Sequence, residues 1–213
     1  MSLKTEIIPY IDGNGLVAPG PANPKIRSSD NGVMFTSEYY IMLNRNKELT
    51  SGDQYIYSTL INNCIGADGH LHRAPNDESP DEIDDHLGVL AGYAEIRYSV
   101  PFHLPLNLCR FPQLVYAHML NRGVPSLLIF PLAIINAFII ALSGFNTPAN
   151  NADVRRLNWL LLQATKRKSL LARFAGWLWH KRQAKLYGSE QVMKAVAQYY
   201  YSPGHPFREY WID

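Results

Sequence analysis

Cysteine is scarce. Cys64 and Cys109 are the only two in 213 residues, which excludes a disulfide-dense secreted scaffold, and both are expected as buried free thiols, with a bond between them as the alternative. Charge is also sparse, at 18% against 47% hydrophobic residues, so the chain holds enough apolar material for a core and general disorder is excluded. The opening Met-Ser-Leu-Lys-Thr-Glu lacks the apolar run of a signal peptide, and no secretory route is expected. No segment sustains the alternating pattern of a strand, and no repeat is visible. Two catalytic signatures are missing as well. There is no Gly-x-Ser-x-Gly elbow. Gly13-Asn14-Gly15 is not followed by Gly-Lys-Ser/Thr and does not come after a strand, which excludes the common phosphate-loop readings.

The most pronounced absence is local. Between Arg122 and Asp153 no side chain is charged, and such a run must leave water. Pro131 lacks an amide donor and disfavours helical geometry at Phe130, so the uninterrupted helix predicted here spans about 131–143. About a dozen residues suit a buried core helix better than a bilayer span, which needs about 20. Insertion of 124–145 into a membrane stands as the alternative, with a proline-kinked helix satisfied by its neighbours.

What is present reads as helices. Residues 1–32, with Pro9, Gly13, Gly15, Pro19-Gly20-Pro21 and Pro24, form an irregular N-terminal arm or lead-in that would drape over a neighbour or hang as a tail. A helix is expected from Glu38, capped by Thr36 or Ser37. Ser51 and Gln54 have the spacing of a capping box for a second. Ser79 as cap, Pro80 at the first position and the acids Asp81 and Glu82 open a third, whose buried stripe is Ile83, Leu87, Leu90 and Ala94. Gly88 and Gly92 on that helix each cost about 1 kcal/mol against alanine, which points to close approach of another helix or a ligand. A short helix follows from Pro112 to Gly123, and amphipathic helices follow in 153–201. The expectation is an all-α fold: a compact helical array around the central 131–143 helix, with 33–213 as one domain.

The acidic and histidine-bearing stretch 68–86 is the candidate site. Glu82 lies three and four residues from Asp85 and His86, on one side of a helix, and His70 and His72 sit on a loop able to fold back on them. Carboxylates with imidazoles would hold a divalent metal, and carboxylates alone would serve as acid and base. Acids at a helix start are equally explained by capping and the helix dipole. A metal-dependent hydrolase built on these residues is therefore one functional alternative, although the spacing matches no zinc or calcium signature. Cys64 with His70 or His118 is the thiol and imidazole combination available for nucleophilic chemistry.

Charge is divided along the chain. Residues 1–150 carry nine Lys and Arg against 14 Asp and Glu, a net of −5, and residues 151–213 carry 11 against four, a net of +7. Lys166, Arg167, Lys168, Arg173, Lys181 and Arg182 interleave with aromatics and read as a solvated face opposite a core stripe or, alternatively, as a site for anions, whether lipid phosphates or, less in keeping with the modest basicity, nucleic acid. Tyr199, Tyr200, Tyr201, Tyr210 and Trp211 read as docking surface or as core closure.

Four features together, Asp30-Asn31-Gly32 ahead of an aromatic helix, Asp84-Asp85-His86-Leu87-Gly88, the Trp177 to Gly188 region and His205-Pro206-Phe207, give a pattern that resembles short, mostly uncharacterised proteins of tailed bacteriophages. The resemblance implies a virion protein, located in the particle, that binds other virion proteins, copies of itself or the host surface without catalytic turnover. Without it, the expected location is cytoplasmic. No cofactor is expected unless the divalent metal is.

Overall fold

Ile11 and Ile65 each open a seven-residue turn, and each turn leads to a 14-residue helix buried almost end to end. The computed structural model describes residues 2–21, 31–75, 77, 83–96, 99–106, 108–109, 112–125, 128, 131, 134–135 and 202–208. Within them lie α1 (Leu3–Glu6), α2 (Gly32–Arg45), α3 (Ser51–Asn62), α4 (Ile83–Ile96) and α5 (Pro112–Asn121), with 3-10 turns at Ile8–Tyr10 and Pro206–Arg208. The described part is all-α, and its only β pairing is two isolated bridges, Ile11 with Val17 and Ile65 with Leu71.

α2 and α4 pack against each other, α3 flanks α2, and α5 flanks α4. α2 is buried from Gly32 through Leu43 and α4 from Asp85 through Ile96, as expected for helices covered on every side. The expected stripe of Leu87, Leu90 and Ala94 is buried, but so are Val89, Ala91 and Tyr93 between them. Glycine makes this closeness possible. A Cβ at Gly88 would stand 3.0 Å from the Met34 Cα, and one at Gly92 would meet the Tyr57 hydroxyl and, at 3.2 Å, the Ser37 Cβ. The ligand alternative for these glycines is not needed, because neighbouring helices occupy the space.

Several local expectations shift. α2 begins at Gly32, not near Glu38, so Thr36 and Ser37 are interior residues with other tasks. The Thr36 hydroxyl accepts the Val17 N–H at 2.9 Å, and the Ser37 hydroxyl donates to the Val33 carbonyl at 2.7 Å. The capping box of α3 is Thr50 with Asp53, one residue earlier than Ser51 with Gln54. Lys4 explains the preference, since its ammonium donates to the same Asp53 carboxylate at 2.6 Å. Burial works to raise the Asp53 pKa, but the hydrogen bonds from Lys4 and Thr50 outweigh it and hold the group below the ordinary value. Ser79 and Pro80, the expected cap of α4, lie outside the described residues.

The lead-in is irregular, yet it is not a free arm. Leu3, Ile7, Leu16 and Val17 are buried in the same core as α2 and α4, because α1 and the first turn give these apolar side chains a surface of their own chain to cover. Nor do the described residues centre on 131–143. Of that segment Pro131, Ile134 and Ile135 are described; they are helical, and Ile134 and Ile135 are 38% and 45% exposed. The described core instead centres on α2 and α4, and the remainder of 131–143 lies outside the described residues. Among the described residues no helix is long and apolar enough to cross a membrane.

A repeat emerges that sequence comparison alone does not reveal. In the first turn the Asp12 N–H bonds to the Leu16 carbonyl, Gly15 N–H to Asp12 carbonyl, and Ala18 N–H to Tyr10 carbonyl. In the second, Gly66 bonds to His70, Gly69 to Gly66, and His72 to Cys64, the same three bonds in the same relative positions. The fifth residue of each is a glycine in the left-handed region, Gly15 at φ 80° and Gly69 at φ 77°, where other residues are strained. Beyond the Ile and this Gly the two turns share no residue. Their likeness lies in the backbone.

Candidate functional site

The second turn walls a cleft of about 610 Å³, lined by Asn63 through Asp68 together with His72, Ala74 and Asp77. Pockets of about 300 to 1,000 Å³ accommodate small ligands or side chains. Asp68 is its most exposed charge. The carboxylate accepts the His70 N–H at 3.0 Å, and lies 3.2 Å from the His70 Nδ1 and 3.6 Å from the His72 Nε2. The backbone bond from His70, followed by the charges of the two imidazoles, holds Asp68 below the ordinary carboxylate pKa. Gly66 is required beside it, because a Cβ there would run into the His72 ring and stand 2.7 Å from the Asp68 carboxylate. On the far side Arg73 pairs with Asp77 at 3.5 Å.

The metal candidates fall into two settings. His70 and His72 gather around Asp68 on the turn. Asp85 and His86 are buried within α4, with the His86 ring edge-on to Phe102 at 5.5 Å between centroids. Glu82 lies outside the described residues. Among the described residues no three His, Cys, Asp or Glu side chains are placed to hold one metal ion. Thiol chemistry is disfavoured on separate grounds. Burial pushes the Cys64 pKa up to about 12, aided by the Asp85 and Asp12 charges, so the nucleophilic thiolate is suppressed at neutral pH. Burial, then the charges of Arg122 and His103, lowers His118 to about 4. Cys109 departs from expectation, being free but exposed.

Residues 202–207 lie over the first turn. The Ser202 N–H donates to the Pro19 carbonyl at 3.0 Å, and the His205 ring lies 4.2 Å from that of Tyr10 with its Nε2 3.1 Å from the Ala18 carbonyl. The Phe207 N–H donates to the His205 Nδ1. That bond requires a bare Nδ1, which leaves the Nε2 as the protonated nitrogen. The C-terminal motif His205-Pro206-Phe207 thus seals the lead-in.

One surface has a composition that sequence reasoning passed over. Ser51, Gly52, Tyr55, Ile56, Thr59, Asn62 and Asn63 form the outward face of α3, and no member of that face is charged. Tyr55 is 75% and Ile56 50% exposed. The signal was available, since Asp53 is the only charged residue of Ser51–Asn62. The anion-binding candidates Lys166 to Arg182 and the docking candidates Tyr199, Tyr200, Tyr201, Tyr210 and Trp211 lie outside the described residues. No protein-family model, curated protein or solved structure matches the chain.

Proposed function

We propose that this protein is a virion-associated interaction protein of a tailed phage, acting by protein–protein contact without catalytic turnover, and that the outward face of α3 is one of its contact surfaces. The observation that carries the reading is the pairing of Tyr55 with Ile56 on an uncharged exposed helix face. Solvated helix faces are ordinarily charged, whereas the centres of protein interfaces lose charge and gain aromatic residues. Support also comes from the paired turn-and-helix units, because stacked helical units present extended surfaces to partners. The virion setting rests on the resemblance carried by Asp30-Asn31-Gly32, Asp84 to Gly88, the Trp177 to Gly188 region and His205-Pro206-Phe207.

The test is incorporation into particles. Phage is produced with the wild-type chain or with Tyr55→Asp combined with Ile56→Lys, and the protein per particle is quantified. Both side chains are exposed, so the variant keeps the wild-type Tm. Loss of two central anchors, at about 1.4 kcal/mol for each factor of ten, lowers incorporation at least about tenfold. Absence of the wild-type chain from particles overturns the virion reading, and undiminished incorporation of the variant overturns the role of α3.

A further inference from the structure

We infer that the cleft beside the second turn seats an extended segment of a partner protein that carries a guanidinium side chain. The argument begins from the two turns being copies of one backbone device. Tyr10 and Cys64 immediately precede the opening isoleucines, Ala18 and His72 lie seven residues beyond them, and Pro19 and Arg73 eight beyond. The carbonyl eight beyond is used in both copies. Pro19 accepts the Ser202 N–H at 3.0 Å, and Arg73 accepts the Val33 N–H at 3.1 Å.

The neighbouring position differs. In the first copy a planar N–H donor, His205, lies against Tyr10 and reaches the Ala18 carbonyl at 3.1 Å. In the second, the residue before the isoleucine is the small Cys64, and no donor among the described residues reaches the His72 carbonyl. Cys64 and His72 both line the cleft of about 610 Å³. The second copy therefore has room, and an open acceptor, where the first copy holds a ring.

Charge selects the occupant. The cleft carries the Asp68 carboxylate, while that of Asp77 is taken up by Arg73, and the hydrogen bond and imidazoles around Asp68 favour its ionised form. A neutral imidazole like that of His205 satisfies a carbonyl alone, whereas a guanidinium donates in a plane to a carbonyl and a carboxylate together. The inference shares with the interaction reading only its general class, since it concerns the second turn and not Tyr55 and Ile56.

The test uses the full-length protein and the synthetic hexapeptide Ser-Pro-Gly-Arg-Pro-Phe, blocked at both ends, which is the 202–207 sequence with arginine in place of histidine. A second peptide carries citrulline, the neutral isostere, at the same position. Binding is followed by NMR on the ring signals of His72 and His70. The expected result is saturable binding of the arginine peptide with shifts at His72, weakened at least tenfold by citrulline. Asp68→Asn, which keeps an acceptor for the His70 N–H and removes the charge, weakens it to a similar degree. Equal binding of the two peptides, no binding, or shifts confined to Tyr10 and His205 through displacement of the chain's own 202–207 segment would each overturn the inference. None of these outcomes bears on the Tyr55 and Ile56 variant, so the two proposals fail separately.

Discussion

The Tyr57 hydroxyl lies 2.9 Å from the Ser37 hydroxyl, in the one place where Gly92 leaves α4 without a side chain. Three helices meet there: α3 supplies the ring, α2 the serine, and α4 the gap. Tyr57→Phe removes one buried hydrogen bond and is expected to cost about 1 kcal/mol. Gly92→Ala forces a methyl group against the Tyr57 hydroxyl and is expected to cost about 1 to 3 kcal/mol. The double variant should cost less than the sum, because the first substitution removes the atom with which the second collides. Urea unfolding of the four proteins measures this, and strict additivity would contradict the packing.

Acid should loosen the seal on the lead-in before it affects the carboxylates. Burial lowers His205 from 6.5 to about 4, against a raising contribution from its bond to the Ala18 carbonyl, and His118 is lowered similarly. A histidine with a depressed folded pKa binds its proton more readily when unfolded, so stability is complete above pH 6.5 and falls as pH drops from 6.5 towards 4. Asp53 and Glu48, whose pKa values are lowered, act at the acid end: their stabilisation is full above the ordinary values of 3.8 and 4.5 and is lost as the pH falls through their lower folded values. Tm measured from pH 7 to 4.5 should therefore decline, and His205→Gln should start lower and decline less steeply. A flat wild-type profile would contradict the burial of both imidazoles.

The two thiols should react unequally. Cys109 is exposed, while Cys64 is buried with its Sγ 3.3 Å from the Leu60 carbonyl. Iodoacetamide at pH 8 is expected to modify one cysteine of the native protein and both after denaturation, and peptide mapping should assign the native adduct to Cys109.

At the start of α3, capping should outweigh the ion pair. Thr50→Ala removes the acceptor for the Asp53 N–H and is expected to cost about 1 kcal/mol. Lys4→Met removes a pair whose lysine is 37% exposed, and such pairs contribute about 0.2 to 1 kcal/mol. Chemical denaturation ranks the two, and a larger loss from Lys4→Met would show that the pair holds α1 in place beyond its contact with Asp53.

Some of this arrangement was legible in the sequence. Periodicity locates α4, Pro112 and Gly123 bracket α5, and Gly88 with Gly92 announces a close helix crossing, because glycine inside a helix is costly without a neighbour to justify it. Thr36 and Ser37 look like caps, which points to a start of α2 later than the observed Gly32. Which hydroxyl caps and which serves the core is decided by Val17 and Tyr57, far away in the chain. Gly13, Gly15 and Pro19 suggest an irregular arm, whereas the burial of Leu3 and Leu16 depends on a tertiary surface that no local pattern encodes. The candidate site was half legible: His70 and His72 were marked, but their grouping around Asp68 arises from a turn defined by backbone bonds. The likeness of that turn to the first rests on only two shared residues, Ile and Gly, too few to register as a repeat.

The contact between His205 and Ala18 joins positions 187 apart, and that distance governs how the molecule is made. A ribosome adding about 5 to 20 residues per second needs roughly 10 to 40 s to travel between them. Throughout that interval the Tyr10 and Pro19 edge stands open on the nascent chain. The first turn can close its own backbone bonds early, but its cover waits until residue 205 has been added.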